Sequence, residues 1–198
     1  MASRGKRQSG SGKFPPNPTQ WDAERNGLAF RERFGLRVDE PLRPFKRSLA
    51  NVMVVATRRE LAEYADDVLL KKLFGPHRNC WSGMTIPCDG HFIIIMNETH
   101  ARTRQNATLT EEFFHVVLNH KPSRIGMCPH TGLIRRDYDR SMEKEAYHSA
   151  AASLVPYSAM RAMVVSGASS RDIAEHFEVS SDLLAFRLKT CKLYRRAS

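Results

Sequence analysis

The chain has 198 residues, 41% of them apolar, and a formal net charge of +10. That is enough for one core, or one domain with a small appendage. No apolar run approaches the roughly 18 residues of a bilayer span, which argues against a membrane protein. The basic N-terminus leads into no apolar stretch of the secretory kind.

Four cysteines, Cys80, Cys88, Cys128 and Cys191, form no C-x-x-C pair, which reads as a reduced, cytoplasmic chain. Cys128 and His130 in "MCPH" are two metal-ligand types close together, and two ligands do not make a site. The positive balance favours polyanionic partners, either nucleic acid or an acidic protein. It is concentrated at both ends. Arg4, Lys6, Arg7 and Lys13 precede residue 20 without an acid, and Arg187, Lys189, Lys192, Arg195 and Arg196 follow residue 183 without one. DNA contact through these basic termini is therefore a reading to carry forward.

Residues 1–20, rich in Gly, Ser, Pro and basic side chains, are expected to be disordered. A helix follows over 21–35, marked by Trp21, Leu28 and Phe34 and stopped at Gly35. "SLANVMVVAT" reads as a helix end running into a strand. "RRELAEYADDVLLKKLFG" has helical spacing throughout and closes at Gly75-Pro76. "NCWSGMTIPCDGHFIIIMN" reads as a β-hairpin turning at Asp89-Gly90. Its second strand has no polar alternation, so both faces should be buried. Another helix spans about Arg104 to Asn119, and "HKPSRIGMCPHTGLIRRDYD" is a loop of about 20 residues, a length that is often functional. "SMEKEAYHSAAASLVP" and "YSAMRAMVVSG" are two further helices.

The last segment, "RDIAEHFEVSSDLLAFRL", looks like a helix-turn-helix. Ala174 is small where two helices must pack closely, Val179 lies in the turn, and Ser180 or Ser181 caps the second helix. Leu184 and Leu188 should face inward, and Arg187 and Lys189 outward, where they could meet phosphate. Glu178 stands where a glycine is usual, which counts against the DNA reading.

The chemistry concentrates in "LTEEFFHVVLNH", residues 109–120. Glu111 and His115 are four apart and share one face of a helix, with Glu112 about 100° further round. The string is the zincin motif H-E-x-x-H with Glu in place of the first His. In that motif the outer residues hold zinc, and the inner Glu activates water. Leu109, Phe113, Val116 and Val117 surround these positions, so the polar groups need buried partners. A metal is one partner and a metal-free carboxylate–imidazole network is the other, and the pattern alone does not choose between them. An alternative register uses Glu112 and His115 as ligands and Glu111 as base. His120 reads as a helix-terminal cation favoured by the dipole, and Asn97 and Arg104 as supporting residues.

"RQNATLTEEFFHVVLNHKPS" followed by "EKEAYHSAAASLVP" resembles the ImmA/IrrE family of metallopeptidases, over about residues 25–190. The resemblance implies an α+β, zincin-like metallopeptidase domain over 21–166. Its helices would pack on a small antiparallel sheet, with a helix-turn-helix-like helical segment at 167–198 packed on it. It implies Glu112 as general base and Glu111, His115 and Glu145 as metal ligands. His148, three residues beyond Glu145 on the same face, is a candidate to join the site or stabilise an oxyanion, or equally to cap a hydrogen bond in the core. The departure is Glu111, where most relatives have His. Two carboxylates and an imidazole neutralise a divalent ion, so zinc remains the first expectation, with manganese or iron favoured more than by a two-histidine set. A protein substrate, a helix-turn-helix transcriptional repressor, is what the family resemblance implies. The alternative is an inactive pseudo-peptidase that uses the scaffold to bind a repressor or DNA.

Overall fold

In a computed structural model of the protein, residues 14–76, 78–121, 124–127, 134–137 and 139–193 are described. Helix α1 (Trp21–Glu32) is followed by strand β1 (Val52–Val55), short helices α2 (Arg58–Leu61) and α3 (Asp67–Phe74), and the hairpin β2 (Gly83–Cys88) and β3 (His91–Met96). Then come α4 (Arg102–Val117), β4 (Arg124–Met127), β5 (Ile134–Asp137), α5 (Arg140–Leu154), α6 (Tyr157–Val165), α7 (Ser170–His176) and α8 (Ser181–Thr190). The α+β class expected from sequence is the one observed.

The three-stranded sheet runs β1-β3-β2 and is mixed rather than wholly antiparallel. β3 pairs antiparallel with β2 through the hairpin and parallel with β1. A parallel pair needs a long crossover, and α2 with α3 lies in it. Asp89 and Gly90 both take positive φ (45° and 80°), the backbone demanded by a two-residue hairpin whose turn matches strand twist. β3 is buried on both faces, as its unbroken apolar run requires. Ile94 and Met96 enter the main core, and Ile95 a smaller one with Val55, Leu61 and Leu70 beneath α2 and α3.

The main core lies between the sheet, α1, α4 and α5. The Phe30 ring sits 4.8 Å from Phe114 and 6.1 Å from Phe113. α5 contributes Ala146, Ala150 and Ala151, small enough for helices to approach closely. Where α1 crosses α5, a Cβ on Gly27 would stand 2.7 Å from the Ser153 amide nitrogen. α7 and α8 add Ile173, Ala174, Phe177, Leu183 and Leu184 to this same core.

Several expectations change. The helix expected over the segment from Arg58 to Gly75 is two helices. Thr57 starts the first with a capping box, and Asp66 starts the second by accepting from the Leu69 amide at 2.7 Å. The loop after His120 contains an antiparallel pair, β4 with β5. Cys128 and His130 lie outside the described residues, as do 1–13. Residues 14–20 are not loose: Trp21 Nε1 donates to the Pro15 carbonyl at 2.8 Å, Asn17 donates to the Thr190 carbonyl, and Gln20 is buried.

Arg187 does not face outward toward phosphate. It is fully buried, with Nη2 donating to Glu24 Oε2 at 2.6 Å and Nε donating to the Val155 carbonyl at 3.0 Å. Glu24 Oε1 accepts from the Tyr157 amide at 2.6 Å. α8 thus turns one of its two cations, Arg187, into the core. Glu24→Ala leaves that guanidinium buried without its counter-charge, and is expected to lose about 3–5 kcal/mol in urea unfolding. A loss near zero would show that the pair does not hold the ends of the chain together.

Candidate functional site

α4 carries Arg104, Ala107, Thr108, Glu111, Glu112, His115 and Val116 along one side of a cleft of about 660 Å³. These positions follow the i, i+3, i+4, i+7 stripe of a single helix face. α5 supplies a second stripe, Met142, Glu143 and Tyr147, with Asp139 at its N-cap. β2 and β3 form one rim with Thr85, Pro87 and Phe92, and the start of α8 forms another with Ser180, Asp182 and Leu183.

Where the two stripes meet, ligand atoms of Glu111, His115 and Glu143 all lie within 4.8 Å of one another. His115 Nε2 is 3.7 Å from Glu143 Oε2. Burial pushes the Glu111 carboxyl up to about 8, with the neighbouring charges of Glu112 and Glu143 adding to the shift. Two carboxylates and one imidazole, converging and half-buried, suit a divalent cation: hard oxygen donors with one borderline nitrogen. Glu112 lies beside this group. Its Oε2 accepts a hydrogen bond from Thr85 Oγ1 at 2.6 Å, which ties the carboxylate to the edge strand. The strand comes this close because residue 83 is glycine: a Cβ there would meet the Thr108 methyl at 2.6 Å and Glu112 Cγ at 3.4 Å.

Two expected site residues stand elsewhere. Glu145 is not in the three-ligand group. It lies two residues past Glu143, about 200° round the helix, and its Oε2 is 3.3 Å from His120 Nε2. His148 does not line the cleft. Its Nδ1 is 3.0 Å from Gln20 Oε1 and its ring packs 5.0 Å from Phe186, with its pKa lowered chiefly by burial. Tyr147, one turn after Glu143, takes the cleft-facing place instead. Burial raises the pKa of its hydroxyl, with the Glu111 and Asp182 charges adding to the effect.

Of the supporting residues, Arg104 lines the cleft and donates to Ser82 Oγ at 2.8 Å. Asn97 is buried, donating to the Arg78 and Trp81 carbonyls at 2.6 and 2.9 Å. Sequence reasoning missed Glu143, Thr85 and Tyr147. The signal for Glu143 and Tyr147 was the i, i+4 spacing that both share with Asp139 at the helix start.

Ionising the buried Glu111 costs stability in protein freed of metal. The folded-state carboxyl titrates near 8 against an ordinary 4.5. The cost is therefore absent below about pH 4.5 and complete above about pH 8. Glu111→Gln cannot ionise. In chelator-treated protein it is expected to melt several degrees above the parent at about pH 8, with the difference shrinking toward pH 4.5. Melting curves of the pair at both pH values check this, and an advantage that does not grow with pH would contradict it.

Residues 76–189, more than half of the chain, match the family model Peptidase_M78, described as the IrrE N-terminal-like domain. No curated protein and no solved structure matches the chain.

Proposed function

Because this chain belongs to the IrrE N-terminal-like family of peptidases, we propose that it is a metal-dependent endopeptidase working in the cleft between α4 and α5. The observation that carries the reading is the convergence of Glu111, His115 and Glu143 with Glu112 one residue away on the same helix. In this reading Glu111, His115 and Glu143 hold the cation. Glu143 takes the place that the family resemblance gave to Glu145. Zinc is the first expectation, and the two carboxylates widen the choice to manganese or iron.

The bound cation would supply Lewis acidity toward a peptide carbonyl and toward water. Glu112 is the general base. It takes a proton from the attacking water and returns it to the leaving amine. Thr85 holds the Glu112 carboxylate in one orientation through its hydroxyl, so the base need not search for its position. In this reading Tyr147, which lines the cleft as His148 does not, donates to the carbonyl oxygen as charge develops there.

A helix-turn-helix repressor remains the proposed substrate class, by family resemblance, and the cleft suits a basic segment. Beyond the two carboxylates that would hold the cation, it is lined by three acids, Glu112, Asp139 and Asp182, against two bases, Arg104 and Lys121. DNA-binding segments are rich in Lys and Arg. No helix of the described residues is long and apolar enough to cross a membrane. The rival reading, an inactive scaffold that binds DNA through its last helices, has less support. Arg187 is spent in the core, and Glu178 takes the left-handed turn position (φ 55°) with its carboxylate accepting from Arg43 Nε at 2.7 Å.

Metal analysis of protein loaded with zinc or manganese tests the reading. The parent should hold about one equivalent. Glu111→Ala, His115→Ala and Glu143→Ala should each lose it. Glu112→Gln should keep the metal and lose at least about 10²-fold in cleavage of a basic peptide library. A parent that takes up neither of these ions nor iron(II) overturns the reading.

A further inference from the structure

α4 ends in a hydrogen-bonded stop that brings the chain back on itself. Asn119 takes φ 53°, the left-handed conformation that Asn tolerates better than most residues. Its amide donates to the Val116 carbonyl at 3.0 Å, and the His120 amide donates to the His115 carbonyl at 2.9 Å. This pair of bonds is the Schellman arrangement. It folds residue 120 over residue 115, so that the two imidazoles meet edge to face with centroids 5.1 Å apart.

The polar atoms then form a line. His115 Nε2 faces Glu143 in the three-ligand group. His115 Nδ1 is 3.2 Å from His120 Nδ1. His120 Nε2 is 3.3 Å from Glu145 Oε2. The His120 side chain is only 6% exposed, so its ring is held in place by its surroundings.

With both imidazoles neutral and His115 Nε2 left to the cation, one arrangement of protons satisfies the contacts between His115, His120 and Glu145. The Glu145 carboxylate can only accept, so His120 carries its hydrogen on Nε2. A neutral imidazole has one N–H, so His120 Nδ1 is an acceptor. His115 must then donate from Nδ1, which leaves the lone pair of its Nε2 directed at Glu111 and Glu143.

We propose that His120 and Glu145 are positioning residues that act through His115, fixing its ring and its tautomer so that Nε2 is presented to the cation. The proposal rests on the reading of Glu111, His115 and Glu143 as the metal ligands. It also gives Glu145 a role: the carboxylate is an outer partner of the ligand histidine, not a ligand. Carboxylate–histidine support of this kind is a general device of metal sites, here extended by a second imidazole.

Two measurements on the full chain test the proposal. The first is the nitrogen NMR signature of the histidine side chains in chelator-treated parent protein. His115 should be the Nδ1–H tautomer and His120 the Nε2–H tautomer, and His120→Phe should leave His115 a mixture of tautomers. The opposite tautomer at His115 in the parent overturns the proposal without any variant having to fold. The second is zinc affinity by competition with a chromophoric chelator. Glu145→Ala and His120→Phe should each weaken binding about 10–100-fold, and the double variant should be no weaker than His120→Phe, because Glu145 acts only through His120. If Glu145→Ala loses zinc as completely as Glu143→Ala, Glu145 is a ligand and the proposal falls. If the parent binds zinc and both variants bind it equally well, the proposal falls and the metal reading stands. If the parent binds no zinc, both fall together.

Discussion

The ion pair between Glu24 and Arg187 is the constraint on which the arrangement of helices depends. Two charges removed from water are costly unless every remaining polar atom finds a partner. Glu24 uses both carboxylate oxygens, one on Arg187 and one on the Tyr157 amide, and Arg187 also donates to the Val155 carbonyl, while its Nη1 is buried without a hydrogen-bond partner among the described residues. Those contacts join the first helix, the junction between α5 and α6, and the last helix at one buried point. α5 is fixed there at its C-terminal end and packed against α1 through Gly27. Its rotation is therefore set, and with it the choice of which acids reach the cleft. Glu143 and Tyr147 point in, and Glu145 turns toward His120.

The site itself is a desolvation problem solved by proximity. A carboxyl such as Glu111, held near 8 by burial and by two neighbouring acids, is an unstable thing to keep in a protein without a reason. Two further acids, Asp139 and Asp182, stand at the same cleft. A chain with a net charge of +10 has thus gathered acidic side chains in the cleft between α4 and α5. The global balance says little about what the cleft attracts, since a local field is set by the charges nearest to it.

Much of this was legible in the sequence where local rules decide. The hairpin turn at Asp89-Gly90, the doubly buried β3, the helix bearing Glu111 and His115 and the Ser180 cap of α8 follow from periodicity and turn chemistry. What the sequence hid depends on rotation and long-range pairing. Glu143 and Glu145 are both acids near the start of one helix, and only the packing of α5 on α1 and α4 separates them. Arg187 looked like a surface cation because its partner lies 163 positions away. His120 looked like a helix terminus because the left-handed turn at Asn119 that folds it back has no glycine to announce it.

The long reach of the Glu24–Arg187 contact also bears on how the protein is made. Domains acquire structure from the N-terminus as synthesis proceeds, yet α1 cannot neutralise its buried carboxylate until residue 187 has been added and has left the ribosome. Until then the helix that braces α5 lacks its anchor, and α5 lacks the fixed rotation that turns Glu143 into the cleft. The side chains that line the cleft are therefore among the last parts of the molecule to come together, and a nascent chain carries those residues before it has the cleft.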